Sequence, residues 1–268
     1  MDYDDALAGR LLTRREVVML LGVAGAAAFF DSPLLATRQG STPCLVRPEL
    51  TEGPFFVDAA DERSDIRVDT SSGKASEGVP LTVTFNVAQA AAAACTPLPQ
   101  AVVHVWQCDG VGVYSGVSDR QPGSGSRKDN ALRGTQQTGS GGAARFTTIY
   151  PGWYRGRAVH IHFKIRTQSG GQAYEYTSQL FFPETLTDEI HAAPPYARHG
   201  RRDTMNDRDT IYREGGEQLL LRPTRTATGL EAAFNVALDL SDASVGRPDA
   251  EGMRGRGGRG RRGGPGAR

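Results

Sequence analysis

The stretch GWYRGRAVHIHFKI (Gly152–Ile165) sets a tyrosine, two arginines and two alternate histidines in one short run. Imidazole nitrogens ligate transition metals. A phenolate is a hard anionic oxygen donor, better suited to ferric iron than to copper(I) or thiolate-bound zinc. Val159, Ile161, Phe163 and Ile165 alternate with His160, His162, Lys164 and Arg166, which is the two-residue period of a β-strand. Both histidines therefore share the polar face, roughly 6.5–7 Å apart at Cα, near enough for two imidazoles to meet one metal ion. On spacing alone the competing reading is a pair of exposed strand histidines beside Lys164 and Arg166. A buried core histidine is disfavoured, because the apolar stripe lies on the opposite face. Tyr154 stands before His160, and Tyr114 closes a second run, VHVWQCDGVGVYSG (Val103–Gly116). Two tyrosinates with two imidazoles would neutralise much of the charge of Fe(III) and hold it oxidised. Either tyrosine alone would more commonly be a rim aromatic with a wet hydroxyl.

The elements that must position these side chains read as β-structure. Alternation predicts strands over Leu81–Ala88, Val102–Gln107, Arg145–Tyr150, Ala158–Arg166, Tyr174–Phe182 and Leu230–Leu240, with Gln218–Leu221 a shorter one. Turn-rich segments such as Gln121–Gly125 and Thr138–Gly142 separate them, and no stretch carries a long helical period. Short strands with such breaks predict an all-β fold, an antiparallel β-sandwich. The segment Glu184–Glu214, rich in Pro, Asp and Arg, is too long for a hairpin. Long loops on a rigid sandwich are where sites are built.

Four motifs in order carry a resemblance: TEGPFFVD (Thr51–Asp58), VHVWQCDGVGVYSG, PGWYRGRAVHIHF (Pro151–Phe163) and SQLFF (Ser178–Phe182). Over roughly Cys44–Tyr212 the chain resembles the intradiol ring-cleavage dioxygenases, the family of protocatechuate, catechol and hydroxyquinol dioxygenases, and within it the secreted subgroup. The resemblance implies Fe(III) as cofactor, with Tyr114, Tyr154, His160 and His162 as its protein ligands. It implies that Arg157 stabilises negative charge on the substrate, that Gln179 orients it, and that Tyr154 leaves the metal carrying a substrate proton. The substrates would be a catechol and O2, and the product a muconate-type diacid containing both oxygen atoms. Where the family usually has proline after the second tyrosine, this chain has Arg155, so the loop beside the pocket is expected to differ more than the metal site.

Two other readings compete. A cupin-like Fe(II) or copper site also uses H-x-H on a strand, but it wants a glutamate about four residues after the second histidine. Arg166 stands there, and the next carboxylate is Glu175. A secreted β-sandwich module that binds polysaccharide or lignin without catalysis would use Trp106, Trp153 and the arginine-rich tail as contacts. His104, inside a strand, reads as structural, whereas His191 and His199 fall in the long loop.

Composition bounds the rest. The 268 residues carry 31 Lys+Arg against 30 Asp+Glu, a net charge of +1, so no global field points to nucleic acid. Domain organisation is expected as a leader and linker over 1–40, the β-domain over 41–240 and a disordered Gly/Arg-rich tail over 241–268. The tail's arginines, from Arg247 to Arg268, could make weak contact with an anionic polymer. Residues 13–30, TRREVVMLLGVAGAAAFF, join Arg14–Arg15 to an apolar run too short for a membrane span. This is the form of a twin-arginine export signal, and it predicts a secreted or cell-surface protein. Ala36 is a candidate cleavage position, although Leu34 fits the site poorly. Cys44, Cys95 and Cys108 suit an oxidising compartment with one disulfide and one free thiol; three pairings are possible, and the absence of CxxC argues against a zinc knuckle. Twin-arginine transport carries folded proteins, so Arg14→Lys with Arg15→Lys is expected to hold a metal-loaded, active chain in the cytoplasm with its thiols reduced. Activity and free-thiol counts in cytoplasmic and extracellular fractions check this; an inactive, metal-free cytoplasmic chain would place loading after export.

Overall fold

The computed structural model describes residues 44–58, 60–91, 95–117 and 129–241. The leader, the turn expected at Gln121–Gly125 and all of the tail beyond Ser241 lie outside them. Alternating apolar residues make the strands. Leu81, Val83, Phe85 and Val87 are buried along β1 (Pro80–Ala90), and Leu230, Phe234, Val236 and Leu238 along β9 (Gly229–Leu238). Between them lie β2 (Cys95–Pro97), β3 (Val102–Trp106), β4 (Arg133–Gln137), β5 (Ala143–Ile149), β6 (His160–Ser169), β7 (Gln172–Phe181) and β8 (Thr224–Thr226).

One sheet runs β2-β1-β9-β8 with β5 also paired to β1, and the other runs β4-β3-β6-β7. The expected all-β sandwich is the observed one, with a qualification. Its pairs are antiparallel except β1 with β9, which run parallel with Leu81 opposite Leu230. Facing side chains fill the space between sheets: the Phe163 ring lies 5.2 Å from Phe85 and 5.5 Å from Phe234, centroid to centroid. Each such aromatic stabilises the fold by roughly 1.5–3 kcal/mol through burial.

Three elements depart from the pattern. Gln218–Leu221 is not a strand: a 3₁₀ turn over Gly216–Leu219 precedes a single bridge between Leu220 and Phe181. Leu219 and Leu221 are buried from that turn without a ladder, since Gly215 at φ 129° bends the chain just before it. β4, RGTQQ, has no apolar alternation to announce it; its register is imposed by β3, with Arg133 opposite Trp106. The long segment after β7 begins with a short helix, α1 (Glu184–His191), then passes through 3₁₀ turns at Tyr196–His199, Asn206–Arg208 and Tyr212–Glu214.

Of the three possible pairings the structure has Cys44–Cys95, separated by 51 residues, and leaves Cys108 as a buried thiol. The bridge ties the segment entering the domain to the strand that edges β1. Replacing both cysteines by serine is expected to cost about 2–4 kcal/mol of stability through the lost loop closure. Urea melts measure this, and a variant as stable as the parent would mean that the bridge closes nothing the native contacts do not already hold.

Candidate active site

β6 carries the site. Its register sets Trp106 of β3 and Gln179 of β7 on either side of His162, and Phe181 beside His160. The polar face is not solvent-exposed as its composition suggested: His160 and His162 are only 2% and 1% exposed. The cause is the segment before β1, which lies across the face. Leu50 donates its amide to Thr177 O (3.0 Å), and Arg133 donates to Phe55 O (2.9 Å). Lys164 pairs with both Glu52 and Glu175, its ammonium 4.5 Å over the Phe56 ring. Gly53, at φ 72°, lies so close that a Cβ there would come within 3.3 Å of His162 Cε1.

The two tyrosines arrive from loops. Gln107 anchors the turn after β3 by donating to Ile149 O (2.9 Å) while accepting from Thr148 Oγ1 (3.0 Å). Asp109 Oδ1 then accepts from the amides of Val111 and Val113, both at 2.9 Å, which turns the chain so that Tyr114 points inward. Gly112 is required there, because a Cβ would stand 2.1 Å from Trp153 O. Tyr114 is fully buried and stacks on Phe55 at 4.2 Å. Tyr154 occupies a turn closed by the Arg157 amide on Tyr154 O (3.3 Å).

These four side chains converge. His160 Nε2 lies 3.0 Å from His162 Nε2, 3.2 Å from Tyr154 Oη and 3.4 Å from Tyr114 Oη. His160 Nδ1 donates to Ala158 O (2.6 Å), which leaves Nε2 of the neutral ring as a lone pair aimed at the other three. Trp106 stacks on His162 at 5.0 Å and fixes that ring. Burial pushes both imidazoles well below their ordinary value, with the Arg157 charge adding to it. Burial also pushes the Tyr114 phenol well above its ordinary value and Tyr154 up to about 12. Neutral imidazoles and protonated phenols crowd one another, and a shared cation is what such a donor set can hold. Among the described residues no cluster of three or more His, Cys, Asp or Glu could do so, because half of this set is tyrosine. Cys108 is a buried thiol whose Sγ lies 3.5 Å from Gly152 O.

Arg157 stands beside the set. Its Nε donates to Asp209 (2.9 Å), its two terminal nitrogens to Tyr154 Oη (3.4 Å) and Gln179 Oε1 (2.5 Å), and Gln179 in turn donates to Thr51 O (2.8 Å). A cavity of about 880 Å³ opens over this group, lined by Phe55, Val111, Trp153, Tyr154, Arg155, Arg157, His199 and Ile211 among others. His199 packs against Trp153 at this wall with the rings tilted, centroids 4.5 Å apart, whereas His191 turns away to Pro151 O (3.0 Å). His104 is buried and unconnected to the four donors, its imidazole lowered by burial to about 4.

Every candidate residue read from the motifs is thus brought to one place. Each rival reading loses a support: Glu175 is taken by Lys164 and Arg166 rather than by a metal, and Trp106 is buried instead of offering a binding platform. Sequence reasoning missed Asp209, which accepts from Arg157, from the Ala158 amide (2.8 Å) and from the Ile211 amide (2.8 Å). No local pattern marks it within an acid- and arginine-rich segment. It also missed the cover formed by residues 50–58, for which Phe55–Phe56 was the available signal.

Comparison with known proteins agrees. The family model described as "Dioxygenase" matches residues 51–239. An intradiol ring-cleavage dioxygenase from Tetranychus urticae superimposes with a TM-score of 0.61 at 31% identity, over 73% of this chain and 95% of that one. The dioxygenase domain of a dioxygenase–carbohydrate-binding protein fusion from Streptomyces sp. SirexAA-E gives 0.50 at 29% identity, over 72% and 98%. A hydroxyquinol 1,2-dioxygenase from Pseudomonas putida DLL-E4, at 20% identity and a TM-score of 0.50 over 84% and 76%, shares the fold. No curated protein matches the chain.

The Asp209 carboxylate has a testable role. Asp209→Asn leaves the largely buried Arg157 charge without its partner, so stability is expected to fall by about 3 kcal/mol. Turnover should fall with it as Arg157 loses its anchor. Urea melts and kcat/KM measure the two effects, and wild-type values for both would show that Arg157 is held by its other partners alone.

Proposed function

The chain belongs to the intradiol ring-cleavage dioxygenases, and from that premise we propose that it opens a catechol-type diol between its two hydroxyl-bearing carbons. Both atoms of O2 would end in a muconate-type diacid, and the site would be ferric. The observation that carries this reading is the convergence of Tyr114, Tyr154, His160 and His162 beside Arg157 at a cavity. The donor set fits Fe(III): two hard phenolic oxygens and two imidazoles, with no thiolate and no carboxylate. Bound there, the ion supplies Lewis acidity toward both oxygens of the diol and a redox-active centre for the reaction with O2.

The chain's own residues supply the remainder. Tyr154 lines the cavity and is the less buried of the two tyrosines, so its Oη, once ionised as a metal ligand, would be the group suited to take a proton from a substrate hydroxyl. Arg157, whose guanidinium already reaches Tyr154 Oη, favours the anionic form of whatever stands there and stabilises negative charge growing on the ring. Both ends of the Gln179 amide are engaged, one by Arg157 and one by Thr51 O. In this arrangement Gln179 sets the orientation of Arg157. Trp153, Phe55 and Ile211 line the cavity with apolar surface, which suits an aromatic ring and lowers the dielectric in which Arg157 acts. Export by the twin-arginine route completes the reading; the Cys44–Cys95 disulfide is the feature that supports an oxidising destination.

Tyrosinate bound to Fe(III) should give a broad visible charge-transfer band. His160→Ala and His162→Ala are expected to abolish the colour and the bound iron, whereas His104→Ala keeps both. Arg157→Ala should keep the colour and lose about 10²–10³ in kcat. A colourless wild-type protein holding stoichiometric zinc or copper would overturn the ferric assignment, and normal turnover by Arg157→Ala would overturn the role given to that arginine.

A further inference from the structure

We propose that the diol taken by this site carries a carboxylate, on the ring or on a short side chain, and that Arg155 reads it. The inference rests on the catechol-cleaving function proposed above and adds the substrate's charge to it. Four residues of one turn, Trp153, Tyr154, Arg155 and Arg157, line the same cavity. Gly156, between the two arginines, lets the turn fold back at φ 81°, its amide donating to Asp203 (3.1 Å).

The two arginines are not equivalent. Arg157 is held by Asp209, Gln179 and Tyr154, one bond from each of its three nitrogens. Arg155 is exposed toward solvent at the cavity wall and has no hydrogen bond or ion pair among the described residues. Asp203, the carboxylate tied to this turn, accepts from the Gly156 amide and from Thr204 Oγ1 (2.8 Å) and makes no ion pair with Arg155.

The rest of the wall sharpens the point. Thr51, Phe55, Val111, Val113, Trp153 and Ile211 bring no charge, and among the described residues no carboxylate lines the cavity. A neutral catechol would leave the Arg155 guanidinium without use at an apolar wall. A carboxylated one would meet a planar fork of donors that matches its two oxygens, next to ring-sized apolar surface. Arg155 follows Tyr154 directly, so a substrate whose hydroxyls lie at Tyr154 presents its far substituents along the same turn.

The test compares 3,4-dihydroxybenzoate with its uncharged counterpart 4-methylcatechol on iron-loaded wild type, Arg155→Met and Arg155→Lys. Wild type should prefer the carboxylate. Arg155→Met should lower that preference by about tenfold, mainly through KM, while Arg155→Lys restores part of it. A second arm needs no turnover: tryptophan fluorescence of the same iron-loaded proteins titrated with benzoate and with benzamide. Benzoate should bind more tightly than benzamide to wild type and lose that advantage in Arg155→Met. Equal binding of the two probes to wild type, or a preference untouched by Arg155→Met, overturns the inference while leaving ring cleavage standing. If neither diol is opened by wild type, the catechol-cleaving function fails, and the benzoate titration still decides whether Arg155 reads a carboxylate.

Discussion

The active site depends on drying one face of β6 without stranding the charges that lie on it. A buried ammonium costs several kcal/mol unless it is paired with good geometry, and Lys164, two residues from His162, is 1% exposed. Its partners solve two problems together. Glu175 comes from the neighbouring strand, but Glu52 comes from the covering segment, as does Asp58, which pairs with Arg166. The charges that oppose burial are therefore the ones that fasten the cover. Phe56 fits under Lys164 and against Trp106, and Trp106 holds His162. One ion-pair row thus reaches the imidazole plane through two aromatic contacts.

That dryness also sets the electrostatic character of the four donors. In water two imidazoles and two phenols would titrate separately and indifferently. Out of water, burial holds the imidazoles neutral and the phenols protonated. A multiply charged cation held there would offset the cost of ionising the phenols. Arg157 could compete for that role, yet Asp209 pairs with its Nε at 2.9 Å while another of its nitrogens reaches Tyr154 Oη. The long segment after β7 thereby supplies the counter-charge of Arg157.

How much of this could be read in advance follows physical lines. Strand alternation made the sandwich legible wherever one face was apolar, as in Leu81–Val87. It failed at β4, whose buried side chains Arg133 and Thr135 are polar because they meet the polar face of β3. The donor set was legible because its spacing is local: His160 and His162 sit on one strand, and each tyrosine closes a short motif. The burial of that face was not legible, since composition cannot tell a solvated polar face from one covered by a distant segment carrying the complementary charge. Asp209 is hidden for the same reason, being 52 residues from the arginine it holds.

The parallel pairing of β9 with β1 bears on how the molecule comes into being. Parallel neighbours cannot be joined by a tight turn, and here nearly the whole domain intervenes between Leu81 and its partner Leu230. During synthesis β1 can acquire its β5 neighbour early, but its other edge stays open until the last strand leaves the ribosome. Topologies closed by so distant a contact fold slowly, because chain entropy is lost before the contact forms. The sheet opposite, which holds the histidines, has its strands complete by Phe181, yet the facing layer that presses on its Phe163 includes Phe234. The histidine strand is therefore made early and backed late.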